Sequence, residues 1–591
     1  PISWQQAIDL AAKRLVETRD RFGGEAILPY SYGGSNGYLS QDSTDALLFS
    51  RLGASRLART VCAAATGRAA TGLYGKMEGV AINDYPAARL IVVWGANPTA
   101  SGIHLVPPIQ AACEAGAKLV VVDPRATALA KRADLHLAIR PGTDLVVALA
   151  VIRELFVTGR ADRDFLDRHT TGADELERRA APWTLGRAAE ISGVPLADLE
   201  RFVDLYATIS PAVLRCGWGL ERNRNGGSAV AAVLALPAVA GKFGVRGGGY
   251  TLSNSSAWKM NATAISGPEA PTRTINMNRL GAALTTTTEP PIQLLFVYNS
   301  NALMTTPNQT LVRRGLERED LFTIVFDQVL TDTARYADLV LPATTFLEHH
   351  ELSRGYGAFV LQQSAPVIAP VGQARSNYSV FADLAVRAGV ATADEIPTEA
   401  AAIGMILETS GRGADLQAQL TENGFARPVS GDRPVQFVDV FPKTDDRKVH
   451  LVPVELDAEA REGLYAYQSD PGSARTPLTL ISPATHRTIS STLGHLRKGP
   501  VALEMHPTDA AARGLLDGQR IKITNEHGEV HCRLHLSRDQ RPGVVELPKG
   551  LWAHNTDNGF TACALAPDSF TDLGDGACFN DARVEVSAAE A

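Results

Sequence analysis

Four polar residues follow short apolar runs in this chain, and their spacing suits the binding of nucleotides. Asn97 follows the run Leu90 to Trp94, and Asp123 ends a second apolar run 26 residues later. Asn301 and Asp327 stand in the same relation. Val- and Ile-rich runs of about five residues predict buried parallel strands. The carboxyl ends of such strands bind ligands, and an Asp at this position commonly accepts hydrogen bonds from ribose hydroxyls.

The two stretches repeat each other at a constant offset of 204 residues. Four further residues of the first copy recur in register in the second, where Thr127, Ala130, Ala133 and Asp134 match Thr331, Ala334, Ala337 and Asp338. The alternative is a duplicated fold without a ligand. Because the polar residues match as well as the apolar ones, we favour two related nucleotide sites in one chain.

Two other motifs offer different chemistry. The turn Gly33-Gly34-Ser35-Asn36-Gly37 fits the G-x-S-x-G pattern of a hydrolase nucleophile and lies between a predicted strand and a predicted helix. Glycines at such a turn also let the backbone approach a phosphate or a ring system, which the repeat favours. Cys62 lies among alanines, where a lone cysteine is usually an inert core residue.

Composition excludes several classes of protein. The 591 residues are 45% apolar and 20% charged, with a formal net charge of -7 and no long basic block, so a nucleic-acid partner gains no support. The longest small-apolar stretch, Ser228 to Gly241, is too short to span a bilayer and contains Pro237. No leader precedes the first predicted helix, which leaves localisation open, with the cytoplasm favoured over the periplasm.

The six cysteines and the pattern of elements bound the architecture. No two cysteines form a C-x-x-C pair, which argues against an iron–sulfur cluster held within this chain. Strands and helices alternate from about Arg59 to Gly249 and again from Pro291 to about Val390. Beyond a weakly periodic region, Gln519 to Leu536 reads as a β-hairpin. The sequence therefore predicts an α/β protein with a C-terminal β-barrel.

Ordered motifs along nearly the whole chain resemble the molybdopterin oxidoreductase family, which includes dimethyl sulfoxide reductases, formate dehydrogenases and nitrate reductases. The motifs are Ile2-Ser3-Trp4, Trp94 to Pro98, Val122-Asp123-Pro124-Arg125, Arg140 to Asp144, Gly217-Trp218-Gly219, Asn225-Gly226-Gly227, Gly247-Gly248-Gly249, Ala337 to Pro342, the Ser482 to Ser491 segment and His506 to Ala511. The resemblance accounts for the repeat, because that family places one pterin guanine dinucleotide on each of two related α/β domains.

The resemblance implies two related doubly wound, Rossmann-like α/β domains plus a six-stranded C-terminal β-barrel. We expect a first dinucleotide-binding domain at residues 1–58 and 251–395 and a second at 59–250. Residues 396–475 would form a connector or insertion, and residues 476–591 the barrel, which also binds the pterin dinucleotides.

The implied cofactor is molybdenum or tungsten held by two molybdopterin guanine dinucleotides. Cys62 occupies the position from which the family supplies a metal ligand, and a soft thiolate suits such a metal. The residues expected to bind the cofactor are Gly33, Gly34, Gly95, Asn97, Asp123, Pro124, Arg125, Gly142, Asp144, Trp218, Gly219, Asn301, Asp327, Thr331, His486, Ser491 and Asn558.

The expected function is a two-electron oxidation or reduction of a small substrate, such as an oxyanion, an S- or N-oxide or a sulfur compound. Many relatives carry a four-cysteine iron–sulfur module at the N-terminus, so electrons would pass to a partner protein or to a module outside this sequence. A formate dehydrogenase is an alternative, although Ala63 replaces the His that such enzymes place after the ligand and Tyr250 to Asn254 lacks their Arg. A structural subunit without a cofactor is the other alternative.

Overall fold

The computed structural model describes residues 1–34 and 36–589, which divide into two compact units. Unit 1 comprises residues 1–59 and 257–429, and unit 2 comprises residues 60–256 and 430–591. The stretch 396–475, expected to be one connector, is therefore shared between the units, and its first part contains two regular helices. Ser35 of the G-x-S-x-G motif lies outside the described residues.

Unit 1 is built on a parallel four-stranded sheet. In spatial order its strands are Ile27–Ser31, Leu294–Tyr298, Phe322–Asp327 and Leu339–Pro342. Helices Trp4–Phe22, Thr44–Arg51 and Asn377–Arg387 pack their apolar residues on this sheet. The first helix starts with a reciprocal capping box, in which Ser3 and Gln6 satisfy each other's backbone N–H groups.

The rest of unit 1 consists of shorter elements around this sheet. A small antiparallel sheet contains Glu351–Arg354, Leu361–Ser364 and Phe425–Ala426, and strands Arg56–Ala58 and Thr274–Asn276 pair in parallel. The remaining α-helices are Thr263–Ser266, Leu280–Thr285, Ala302–Thr305, Gln309–Leu316, Glu399–Glu408 and Gly413–Asn423.

Unit 2 contains a parallel five-stranded sheet. In spatial order its strands are Leu135–Leu137, Lys118–Val122, Leu90–Trp94, Ala212–Cys216 and Gly249–Thr251. Helices Asp144–Val157 and Gly226–Val239 are almost wholly apolar and lie in the core with helix Ala64–Tyr74. The other α-helices of this unit are Val106–Glu114, Arg163–His169, Ala173–Ala180, Leu185–Ser192, Leu196–Thr208, Val454–Glu459 and Pro507–Ala511.

The C-terminal part of unit 2 is a closed barrel of six strands, as the sequence predicts. Around the barrel the strands are Leu478–Ile481, Val544–Glu546, Ala502–Met505, Gly528–Leu536, Arg520–Asn525 and Arg583–Ala588. Strands Arg520–Asn525 and Gly528–Leu536 form the predicted hairpin. Alternate residues of these strands point inward and build a separate apolar core.

The offset of 204 residues holds in the structure down to individual hydrogen bonds. Strand Leu90–Trp94 coincides at that offset with strand Leu294–Tyr298. Asp134 accepts a hydrogen bond from the Leu119 amide at 2.9 Å, and Asp338 accepts one from the Thr323 amide at 2.7 Å. The hydroxyls of Thr127 and Thr331 likewise accept from the amides three residues later. Several of the matched polar residues therefore stabilise equivalent turns.

Among residues 1–34 and 36–589, none of the helices combines the length and the apolar character that crossing a membrane requires.

Candidate cofactor site

Three glycines join the ends of two neighbouring strands in unit 2. The Gly217 amide donates to the Trp94 carbonyl at 2.7 Å, and the Gly219 amide donates to the Gly95 carbonyl at 2.8 Å. A Cβ atom at Gly217 would lie 2.1 Å from the Gly95 oxygen, and Gly95 itself has a φ of +63°. Only glycine tolerates so close an approach and this left-handed backbone. The predicted residues Gly95 and Gly219 thus lie together at the carboxyl edge of the sheet.

Trp218 lies between two of these glycines. The guanidinium of Arg215 stands 5.0 Å from the centre of its indole ring, a cation–π contact that fixes the side chain beside the strand ends. Asn97 follows the neighbouring strand, and its side-chain oxygen accepts a hydrogen bond of 2.6 Å from the Thr99 hydroxyl. Both residues therefore occupy the edge where the sequence predicts a ligand.

Asp144 is a buried carboxyl group at the start of helix Asp144–Val157. It accepts a hydrogen bond of 2.8 Å from the indole nitrogen of Trp94. Burial raises the pKa of Asp144 to about 7, and the Trp94 bond opposes that rise only in part. Gly142, with a φ of +86°, makes the turn that leads into this helix. A ligand with N–H donors, such as a guanine ring, would stabilise the carboxylate here.

Asp123, Pro124 and Arg125 join the α/β part of unit 2 to the barrel. The Asp123 carboxylate accepts from the Arg125 amide at 2.9 Å and from its guanidinium at 3.3 Å. The same guanidinium donates to Glu546 at 3.3 Å, in a barrel strand. Gln540 also donates to Glu546, at 2.7 Å. This buried network fixes the loop after strand Lys118–Val122.

Unit 1 places its own predicted residues at the corresponding edge of its sheet. The Gly34 amide donates to the Asn299 carbonyl at 3.0 Å, and a Cβ atom at Gly34 would lie 2.4 Å from that oxygen. The glycine loop therefore touches the end of strand Leu294–Tyr298, two residues before Asn301. Gly33 is the preceding residue of that loop, and Thr331 follows the neighbouring strand.

Asn301 and Asp327 supply unsatisfied polar groups in unit 1. The Asn301 side-chain oxygen accepts from the Thr333 hydroxyl at 2.8 Å, while its Nδ2 is buried and finds no acceptor among the described residues. Burial raises the pKa of Asp327 to about 6. A buried donor without a partner is costly, so it signals an absent acceptor. These groups fit a nucleotide, which offers both donors and acceptors.

Cys62 lies half-buried in the loop before helix Ala64–Tyr74 of unit 2. The guanidinium of Arg222 donates to the carbonyl of Val61, directly before the cysteine. Lys549 interacts electrostatically with both Arg222 and Cys62. Solvent reaches Lys549, yet its pKa is lowered, first by desolvation and then by Arg222, while Cys62 opposes the change. An accessible but desolvated ammonium lies in a recess, and this recess contains the thiol.

Two barrel segments contribute the remaining predicted residues. The Lys549 amide donates to the Pro483 carbonyl at 3.1 Å, and the Trp552 indole donates to the Ser491 carbonyl at 2.8 Å. The structure thus brings the His486 to Ser491 segment against the segment that carries Lys549, with His486 exposed. Asn558 lies elsewhere on the barrel. Its amide accepts from the His531 amide and donates to the Glu529 carbonyl, both at 3.1 Å.

Comparisons with known proteins agree with this arrangement. The family model described as "Molybdopterin oxidoreductase" matches residues 1–387, and the model described as "Molydopterin dinucleotide binding domain" matches residues 479–583. The chain belongs to the molybdopterin oxidoreductase family. It is an oxidoreductase of the dimethyl sulfoxide reductase group, and its barrel is a molybdopterin dinucleotide binding domain, which implies a molybdenum bis-molybdopterin guanine dinucleotide cofactor.

Individual members of the molybdopterin oxidoreductase family align over nearly all of the chain. The "Probable oxidoreductase YoaE" of Bacillus subtilis (strain 168) is 32% identical over 99% of this chain and 87% of its own length. The dimethyl sulfoxide/trimethylamine N-oxide reductase of Rhodobacter capsulatus is 24% identical over 94% of this chain and 78% of its own. The solved structure of acetylene hydratase from Pelobacter acetylenicus has the same fold, with a TM-score of 0.82 at 21% identity, over 100% and 89% of the two chains.

Sequence reasoning missed several side chains of this molybdopterin oxidoreductase site. Glu221, Arg222, Lys549 and Glu546 carry charge next to predicted residues, yet none belongs to a motif. A weak signal exists for one pair, because Glu221-Arg222 follows the Gly217-Trp218-Gly219 motif closely. Lys549 follows an apolar strand and a proline, which marks a loop at the end of a barrel strand.

Proposed function

We propose that this chain binds molybdenum or tungsten through two molybdopterin guanine dinucleotides and the thiolate of Cys62. When bound, such a cofactor supplies reversible two-electron transfer to a small substrate. The observation that carries the proposal is the placement of Cys62 in a recess that also contains the cations Lys549 and Arg222. A thiolate next to two cations is stabilised in its anionic, metal-binding form.

The dinucleotide sites rest on the strand edges of the two units. In unit 2 the glycines Gly95 and Gly219 expose backbone, and Asp144 offers a carboxyl group to a guanine. In unit 1 Asn301 and Asp327 offer a buried donor and a carboxyl group of raised pKa. Each set contains a group that a nucleotide would satisfy, so the residues present fit the implied cofactor.

The cations beside Cys62 favour a substrate that carries negative charge on oxygen. Lys549 attracts such a group to the recess, and Arg222 adds positive potential while it holds the Val61 carbonyl. We therefore favour an oxyanion, or an S- or N-oxide with its polar oxygen, over an uncharged hydrocarbon. Electrons would enter or leave through a partner protein or an iron–sulfur module outside residues 1–591.

Metal and nucleotide analysis tests this proposal. Full-length protein from a host that makes the cofactor should contain molybdenum or tungsten in stoichiometric amount, and acid treatment should release twice as much GMP as metal. A screen of oxyanions, S-oxides and N-oxides with a reduced viologen dye would then identify the substrate. Folded protein that lacks both metal and GMP would overturn the proposal and favour a structural subunit.

A further inference from the structure

Two consecutive side chains hold the Cys62 loop at both of its ends. The Glu221 carboxylate accepts a hydrogen bond of 2.6 Å from the amide of Thr66, and the Arg222 guanidinium donates to the carbonyl of Val61. Cys62 lies between these two attachment points. The loop is therefore fixed on the residue before the cysteine and again four residues after it.

Glu221 acts as the N-terminal cap of helix Ala64–Tyr74, although it is distant in sequence. The first N–H groups of an α-helix lack partners within the helix and need a cap. Ala63, at the usual capping position, has no side chain that can serve. Thr66 is the third residue of the helix, and its amide finds the Glu221 carboxylate instead. A negative charge at this end also interacts favourably with the helix dipole.

The Glu221-Arg222 pair is itself anchored by the barrel. The Asn580 amide donates to the Arg222 carbonyl at 2.8 Å, and Asp581 pairs with Arg224 at 2.5 Å. Gly574 of the same barrel loop lies against Ala64, where a Cβ atom would stand 2.7 Å from the Ala64 oxygen. The barrel thus holds the pair and the Cys62 loop in one fixed arrangement.

The burial of Glu221 carries a cost that packing alone does not explain. Only 2% of the residue is exposed, its second carboxylate oxygen has no hydrogen-bond partner among the described residues, and Arg222 lies 3.9 Å from it. A buried acceptor without a partner is destabilising, so an apolar side chain would serve a purely structural purpose better. The carboxylate is retained at a place where it orients a functional loop.

We propose that Glu221 and Arg222 are positioning residues that orient the Cys62 thiol toward the metal. The inference rests on the proposed role of Cys62 as a ligand. Loss of either attachment lets the loop rotate, so that the thiol reaches the metal in only part of the molecules, while the dinucleotides remain bound.

The first measurement needs no metal. In full-length protein, hydrogen–deuterium exchange at the amides of residues 64–67 should become about tenfold faster in Glu221→Ala, because the cap is lost. Glu221→Gln should restore slow exchange in part, since an amide oxygen still accepts from Thr66. Asp162→Ala is the matched control. Asp162 caps helix Arg163–His169 through the Phe165 amide in the same way, so its loss should leave residues 64–67 unchanged.

The second measurement is the electron paramagnetic resonance of the Mo(V) state in the loaded full-length enzyme. Glu221→Ala and Arg222→Ala should keep their metal and GMP, and part of their signal should match that of Cys62→Ala. Glu221→Gln and Arg222→Lys should return toward the wild-type signal, and they carry the test if the alanine variants do not fold. A wild-type signal in all four variants would overturn the positioning role. A Cys62→Ala signal identical to wild type would instead overturn the ligand assignment.

Discussion

The indole nitrogen of Trp94 donates a hydrogen bond of 2.8 Å to the carboxyl group of Asp144, fifty residues further along the chain. Burial raises the pKa of that group to about 7 from a model-peptide value of 3.8. Between these values the folded protein binds a proton that the unfolded chain has lost. Stability therefore falls as the pH rises from about 4 to 7, by at most roughly 4 kcal/mol from this group.

Asp144→Asn should remove this dependence in protein prepared without the cofactor. An amide keeps the acceptor for Trp94 but cannot ionise, so the free energy of unfolding should decline less over that pH range than in wild type. Trp94→Phe should do the opposite, because loss of the indole donor raises the pKa of Asp144 further. Urea denaturation at several pH values measures both, and an unchanged profile in Asp144→Asn would contradict the burial of a neutral carboxyl group.

Arg125 should stabilise unit 2 through its two carboxylate partners. Arg125→Met leaves Asp123 and Glu546 buried without their cation, which should lower the free energy of unfolding by about 3 kcal/mol. Adding Glu546→Gln should recover part of the loss, since one of the two unpaired charges is then gone. A double variant no more stable than Arg125→Met would show that the pair is not coupled.

Asn301 should matter for the cofactor more than an ordinary buried amide does. Its unpartnered Nδ2 fits an acceptor on the dinucleotide, so Asn301→Ala should lower the GMP content of the purified enzyme. Asn525→Ala is a suitable comparison. Asn525 donates to the Leu565 carbonyl within the barrel, so its loss should reduce stability by about 1 kcal/mol with GMP content intact. Equal GMP content in the two variants would argue against a nucleotide at Asn301.

Lys549 should increase the turnover of an anionic substrate. Lys549→Met should reduce kcat/KM by about tenfold at low ionic strength, and the deficit should shrink as salt screens the remaining charges. Lys549→Arg should retain most of the rate because it retains the charge. Steady-state kinetics across a salt series checks this, and equal salt sensitivity in wild type and Lys549→Met would exclude a role in attraction.

Much of the fold follows from local patterns in the sequence. The offset of 204 residues identified three strands in each unit, because buried parallel strands are continuous apolar runs with turn residues at their ends. Asp134 and Asp338 fall in the predicted register because both bind the amide that begins the second strand of their copy. The hairpin and the barrel were predictable from alternation and turn chemistry.

The surroundings of Cys62 could not be predicted in this way. Glu221 caps a helix that begins far earlier in the chain, and Lys549 reaches the thiol from the barrel. Such partners depend on how distant segments pack, and no periodicity or short spacing encodes that packing. The region after residue 395 also lacked a clear pattern, although helices Glu399–Glu408 and Gly413–Asn423 form there.

The central claim is that Cys62 supplies the protein ligand to a metal held by two guanine dinucleotides. X-ray absorption at the molybdenum or tungsten edge tests it most directly, on full-length wild type and Cys62→Ala with equal metal and GMP content. We predict that the variant shows one sulfur ligand fewer and no turnover. Identical sulfur coordination in the two proteins, or normal turnover by Cys62→Ala, would contradict the account.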